Sequence, residues 1–467
     1  MTDSICYASA VDIADQVKTQ QISAAEVVES FIARIESLNP TLNAFTELCH
    51  QRARDKAADI DRRIAQGQTV GVLAGVPFAV KNLFDIKDVV TVAGSKINQA
   101  NAKATEDAVL IKRLENADAV LIGALNMGEY AYDFTGENSH YGNCHNPWDP
   151  SCMPGGSSSG SGSATAAGLA PISLGSDTNG SIRVPASLCG IFGLKPTYGR
   201  LPRSGSYPFT DSLDHLGAFA RNVQDLATAF DLMQGFDSED HACADQAKLN
   251  TLATLDKGID NLRIARATGY FDTTNFPEAT AAVDLVCRLL SCDNTTDIPG
   301  ANEGRSAAFL ITNAESSALH LSRLQTQADD FDPDTRYRFL AGAMIPAAWY
   351  LKAQAVRQWY HQQVLELFKS VDVIIAPATP CTAPKLGQKI LVINGKEHPL
   401  RPNLGYFTQP ISAIGLPSCV VPTINQANGM PIGVQIIAAP WREDICLRVA
   451  AYLESQGLTA QRPINIT

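Results

Sequence analysis

The sequence predicts an α/β fold built on a large, mostly buried β-sheet, and three observations carry that reading. Short apolar runs rich in β-branched residues, bounded by Gly or Pro, recur at residues 75–80, 119–123, 171–174, 371–376, 419–422 and 432–437. Helical periodicities lie between them, at 106–116 and Val223–Met233. Strands that alternate with helices favour a sheet covered on both faces. The composition agrees: 45% hydrophobic and 18% charged residues in a chain of 467 exclude a disordered or coiled-coil protein. A chain of this length buries well over half of its unfolded surface and needs no disulfide or metal to fold.

At the N-terminal end, Ser23 and Glu26 have capping-box spacing. Val27, Val28, Phe31, Ile32 and Ile35 then form one apolar helical face, and Asn39-Pro40 is expected to end it. We read one domain over 1–467, with N-terminal helices at about 9–65 and a core at about 70–235. A polar, variable excursion follows at about 237–302, and the rest of the core at about 303–467. The excursion holds a second strand-to-helix switch near 262–265. One domain is preferred because strand-like runs recur on both sides of it.

Lys+Arg number 37 against Asp+Glu 48, a net charge of −11, which argues against a nucleic-acid surface. The N-terminus has early acids and no long apolar run, so no signal or transit peptide is expected. No apolar run of about 18 residues predicts a membrane span. The eleven cysteines are scattered without a CxxC pair and read as reduced thiols in a cytoplasmic protein. The eight histidines show no HExxH or HxH spacing, so no metal is expected.

Three segments carry chemistry. Residues 155–163 read Gly-Gly-Ser-Ser-Ser-Gly-Ser-Gly-Ser. Such a run can be a flexible linker, an anion cradle at a helix start or a nucleophile loop. The phosphate cradle lacks its lysine. A G-x-S-x-G elbow is present at Gly156 to Gly160, but Asp149-Pro150-Ser151-Cys152-Met153-Pro154 precedes it, where a strand is required. The second segment, Gly175-Ser176-Asp177-Thr178-Asn179-Gly180-Ser181-Ile182-Arg183, follows a plausible strand, and its small residues can aim several backbone N–H groups at one point. The third places Lys81 at the end of an apolar run, where a lysine ordinarily reaches solvent.

Together these segments resemble the amidase signature family of serine hydrolases, over most of the chain. The pattern GGSS, then GSD-x-x-GSIR-x-PA, with a lysine upstream, is long and specific. The resemblance implies a single α/β domain around a large mixed sheet. It also implies a Ser–cis-Ser–Lys triad with Ser181 as nucleophile, Ser157 as bridge after a cis peptide, and Lys81 as base. The backbone N–H groups of Thr178, Asn179, Gly180 and Ser181 would form the oxyanion hole, with no cofactor and no metal. Ser159 and Asn179 replace the family's usual glycines. Asp177 and Arg183 are expected to brace the loop.

The substrate is narrowed by further resemblances. Asn126-Met127-Gly128-Glu129-Tyr130 looks like the family's pocket-lining segment, which makes Met127 and Tyr130 substrate-binding candidates. Arg338 takes the place of the arginine that holds the substrate carboxylate in the glutaminase component of the tRNA amidotransferase, with Arg336 and Arg401 as fallbacks. That component has an aspartate for the α-ammonium of glutamine where this chain has Gly405. The overall pattern is most similar to the 1-carboxybiuret hydrolase branch, which acts in cyanuric acid breakdown. The implied substrate is a small carboxylated, urea-like amide. The implied partner is a small accessory subunit, in a homodimer or heterotetramer. The alternatives are the A-type glutaminase subunit of a tRNA-dependent amidotransferase and a broad small-amide amidase.

Overall fold

One sheet of eleven strands organises the computed structural model, which describes residues 2–393 and 395–463. Its strands are β1 (Phe45–Leu48), β2 (Pro77–Lys81), β3 (Val120–Leu125), β4 (Ile172–Asp177), β5 (Phe192–Lys195), β6 (His215–Ala220), β7 (Ile264–Thr268), β8 (Thr295–Asp297) and β9 (Val373–Pro377). A separate hairpin, β10 (Ile390–Ile393) and β11 (Lys396–Pro399), precedes β12 (Ser418–Ile424) and β13 (Pro431–Ala438). The order is β1-β3-β2-β4-β6-β5-β12-β13-β9-β7-β8. The sheet is mixed: β3, β2 and β4 run parallel, as do β9, β7 and β8, and the strands between them pair antiparallel.

The helices are α1 (Thr2–Cys6), α2 (Ala10–Lys18), α3 (Ala24–Leu42), α4 (His50–Ala65), α5 (Val109–Asn116), α6 (Ser159–Ala166), α7 (Arg183–Cys189), α8 (Val223–Met233), α9 (Pro277–Leu289), α10 (Ala301–Thr326), α11 (Pro333–Ala343), α12 (Ala347–Leu367), α13 (Leu400–Asn403), α14 (Gln409–Ala413) and α15 (Glu443–Ser455). β2, β3, β4, β6, β9 and β13 are buried along their whole length, so their apolar runs do not alternate. Helices supply the cover: α8 packs on β6, α15 on β12 and β13, and α9 on β9 and β13.

The capping box at Ser23 and Glu26 is formed in full. The expected stop at Pro40 is not: α3 runs on to Leu42 and ends at Asn43 in a left-handed conformation. A proline this close to a helix end deletes one hydrogen bond from a turn that is already ending, so the cost is small. The expected strands all appear, several extended by two or three residues at their C-terminal ends. Residues 264–297, within the polar stretch read as an excursion, supply β7, α9 and β8 and so build one end of the main sheet.

The Gly/Ser run is no linker. Every residue of α6 is buried, and the helix lies against β2, β3, β4 and α7. Gly160 shows why small residues are required. A Cβ there would lie 2.3 Å from the Ala44 carbonyl oxygen and 2.5 Å from the Asn126 nitrogen, both backbone. Gly160→Ala should therefore lower unfolding free energy by about 1–3 kcal/mol, the usual cost of overpacking. Urea denaturation of the two proteins measures this. Equal midpoints would mean that the 44 and 126 backbones move aside freely.

Candidate active site

Parallel pairing of β2 with β4 sets Val80 opposite Leu174 and carries Lys81 to the sheet's C-terminal edge. Its side chain is fully buried. The amine lies 2.7 Å from Ser157 Oγ and 2.8 Å from Ser176 Oγ, and it forms no ion pair among the described residues. Burial brings the Lys81 amine down to about 7, against the opposing pull of Asp214, Asp177 and Asp133. Ser157 is also fully buried and follows a cis peptide bond from Gly156. No strand precedes this loop; Cys152 makes only an isolated bridge to Lys385, so the elbow reading fails here. The neighbouring serines are structural: Ser158 Oγ donates to the Ser176 carbonyl (3.1 Å) and Ser159 Oγ to that of Asn126 (3.2 Å).

β4 leads directly into the second loop. The backbone N–H groups of Thr178, Asn179, Gly180 and Ser181 have no acceptor among the described residues. Side chains fix the loop from outside. Thr178 Oγ1 donates to Asp214 Oδ1 (2.6 Å), and Asn179 Nδ2 donates to Thr312 Oγ1 on α10 (2.8 Å). Thr408 Oγ1 donates to the Asn179 carbonyl (2.7 Å). Gly180 has φ +140°, and a Cβ there would lie 2.1 Å from Thr408 Oγ1, so glycine is obligatory on both counts. Ser181 is 3% exposed, and its hydroxyl makes no hydrogen bond among the described residues. The structure thus joins Lys81 to Ser157 directly and leaves the Ser181 hydroxyl unengaged.

A cavity of about 210 Å³ reaches Ser176 and Asp214 at one end and is walled by Leu83, Tyr207 and Phe209. Phe209 packs on Tyr132 (centroids 4.9 Å apart), and the Arg338 guanidinium lies 3.6 Å over the Tyr132 ring. Arg338, half-buried on α11, also donates to the Tyr132 carbonyl (2.8 Å) and pairs with no carboxylate among the described residues. The two fallback arginines are engaged. Arg401 is held by Asp133, Glu137 and Asp334, and Arg336 by Asp329. Gly405 is closed off, because a Cβ there would lie 2.5 Å from Phe134 Cζ. Tyr130 is set in an aromatic cluster: its ring is 4.1 Å from His320, and its hydroxyl meets Asn98 and Arg323. Met127 is buried beside it in the chain, its carbonyl taking a hydrogen bond from Asn138. No cluster of three or more metal-ligating side chains occurs among the described residues.

The family described as Amidase matches residues 26–447. The chain belongs to the amidase signature family. It is a hydrolase that acts on amide C–N bonds. It is 49% identical to AtzE, a component of the 1-carboxybiuret hydrolase of Pseudomonas sp. (strain ADP), over 96% of this chain and 98% of that one. Identity to the A-type subunit of the glutamyl-tRNA(Gln) amidotransferase of Geobacter sp. (strain M21) is 34%, over 95% and 96%. Among solved structures, a vestigial protein complex bearing on the origins of an s-triazine catabolic enzyme matches with a TM-score of 0.96. That match has 48% identity and covers 97% of this chain and 99% of that one.

Around these loops the structure also gathers residues that the sequence left without a role. Ser176 lies beside Lys81; parallel pairing of the two strands would have placed it there. Asp214, buried and raised by burial, accepts from Thr178, Phe209 and Thr210, and nothing in its local sequence marks it. Asp177 and Arg183 do brace the loop, as an ion pair of 3.0 Å that is fully buried on both sides. Arg183 extends the brace to Thr408, Ser412 and Gln435, on α14, its approach and β13. Burial alone would raise the Asp177 carboxyl, but the Arg183 charge holds it well below the usual carboxylate range. Arg183→Met should destabilise the amidase by about 3–5 kcal/mol, because it strands a buried carboxylate. Chemical denaturation tests this; a loss under about 1 kcal/mol would mean that Asp177 finds another partner.

Proposed function

We propose that this amidase hydrolyses a small carboxylated, urea-like amide of the 1-carboxybiuret type through an acyl-enzyme. The observation that carries this reading is the buried Lys81 amine, hydrogen-bonded to Ser157 Oγ and free of any carboxylate. A lysine so placed is neutral over much of the physiological range and can take a proton. In this reading the Ser181 hydroxyl attacks the amide carbonyl and gives its proton to Ser157 Oγ, which passes its own to Lys81. The N–H groups of residues 178–181, left without internal acceptors, receive the oxyanion. The proton returns through Ser157 to the leaving nitrogen, and water then cleaves the ester at Ser181.

The carboxylate end is assigned to Arg338, the arginine of the three candidates that retains a free fork. Tyr132 and Phe209 would hold the flat body of the substrate. Tyr130 and Met127 would act behind that wall. The filled space at Gly405 disfavours the glutaminase alternative, since a side chain that meets an α-ammonium would first have to displace Phe134. The similarity to a protein described as a subunit supports a small accessory partner for this chain too. No helix among the described residues is long and apolar enough to cross a membrane.

A serine-directed phosphonate should label the peptide containing Ser181, and Lys81→Ala should lower turnover about 10²–10⁴-fold with the fold intact. Because only the neutral amine accepts a proton, kcat/KM should rise with pH through about 7 and level off above it. An adduct on Ser157, or an unchanged pH profile in Lys81→Ala, contradicts the assignment. For the carboxylate, Arg338→Ala should cut kcat/KM on 1-carboxybiuret at least about ten-fold, as expected for loss of one partner of a desolvated pair. Neutral amides of similar size should change far less, and Arg338→Lys should restore only part. Equal losses on both substrates would make Arg338 structural.

A further inference from the structure

A second, larger cavity of about 600 Å³ lies between α12 and the loops at Tyr198 and Trp441. None of Lys81, Ser157, Ser181 or Arg338 lines it. Its size falls within the range of small-molecule sites. Its floor and sides are apolar at Ala355, Ala413, Ile414 and Pro440. Its polar groups come chiefly from one face of α12: Gln354, Arg357, Gln358 and His361.

The charge on this lining is one-sided. Arg357 is the cation in it, and no Asp or Glu is among the lining residues. Arg357 spends one nitrogen on Ser212, donating to its carbonyl (3.2 Å) and its hydroxyl (3.0 Å). It forms no ion pair among the described residues, so the rest of its fork is uncommitted. The neighbouring acid, Glu315, is taken up by the Ser212 N–H and hydroxyl, by Tyr350 and by the Gln354 amide nitrogen, which also donates to the Tyr350 hydroxyl. One turn along α12, His361 also lines the cavity, with its Nε2 turned into the protein rather than toward the open space. Burial, and then the Arg357 charge, hold this imidazole below its ordinary range, so it adds no second cation to the lining.

We propose that this cavity is a binding site, separate from the catalytic one, for a small molecule that carries a single carboxylate at Arg357. The amide of Gln358, the Gln354 side-chain carbonyl and the ring of His361 meet the uncharged part of that molecule. A guanidinium fork matches a carboxylate in two parallel bonds. One cation with no second beside it suits a monoanionic group better than a phosphate dianion.

The test uses the full-length protein with Arg338→Ala, which removes the competing carboxylate site of the catalytic pocket. Succinamate, which carries one carboxylate and one amide, is titrated calorimetrically, with succinamide and inorganic phosphate as comparisons. Succinamate should bind, and adding Arg357→Ala should weaken it at least about ten-fold, as for loss of one partner of a charged pair. Arg357→Lys should restore part of the affinity, and His361→Ala should weaken it independently. Succinamide should not bind, and phosphate should bind more weakly than succinamate. Circular dichroism establishes that each variant is folded; if Arg357→Ala is not, Arg357→Lys and His361→Ala carry the test. Undiminished succinamate binding in the folded Arg357 and His361 variants, equal binding of succinamide, or no succinamate binding in the millimolar range overturns the proposal.

Discussion

Placing a lysine amine inside protein, away from water and from any counter-ion, is expensive as long as the amine is charged; the penalty is several kcal/mol per ion. At the end of β2 that expense is avoided by neutralisation, because burial brings Lys81 into the range where it sheds its proton near neutrality. Two hydroxyls, Ser157 Oγ and Ser176 Oγ, then satisfy it without restoring the charge. Much of the local architecture follows from this one requirement. A carboxylate beside the amine would stabilise the ammonium, so Asp133, Asp177 and Asp214 are each committed to other groups. The strands on either side of β2, both buried along their whole length, exclude water from it. The Gly/Ser segment must pack backbone against backbone to bring Ser157 within reach.

A second constraint acts on the loop after β4. Four consecutive N–H groups left without acceptors cost free energy, so other contacts must offset that cost and hold the loop in place. Asp177 and Arg183 do this from beneath, while Thr178, Asn179 and Thr408 do it from the sides. The partners come from residues 214, 312, 408, 412 and 435, so the loop is held by most of the chain. The buried ion pair serves geometry more than net stability, since a buried pair often contributes little overall yet is costly to break.

The arginines on α11, α12 and α13 divide by their partners. Arg401 is held by three carboxylates and Arg336 by one, whereas Arg338 and Arg357 lack any. A guanidinium that the fold positions but does not neutralise is a standing invitation to an anion. Arg338 stands over Tyr132, whereas Arg357 lines a separate cavity on α12.

The sequence alone determined the α/β class and six strands of the main sheet, and it singled out the loops around Ser157 and Ser181. These depend on local properties: uninterrupted apolar runs, glycines where no Cβ fits, and serines in a long specific order. The capping box at Ser23 was legible for the same reason, since both of its partners lie within one turn. The tertiary structure alone decided what depends on distant segments meeting. It carried α3 past Pro40, where the helix was already ending, and it drew residues 264–297 into the main sheet through pairing of β7 with β9. It gave Ser176 and Asp214 their partners, because the contacts span 95 and 36 residues. It also separated Arg338 from Arg336 and Arg401, because whether a charge is free depends on which carboxylates the fold brings to it, and no local pattern records that.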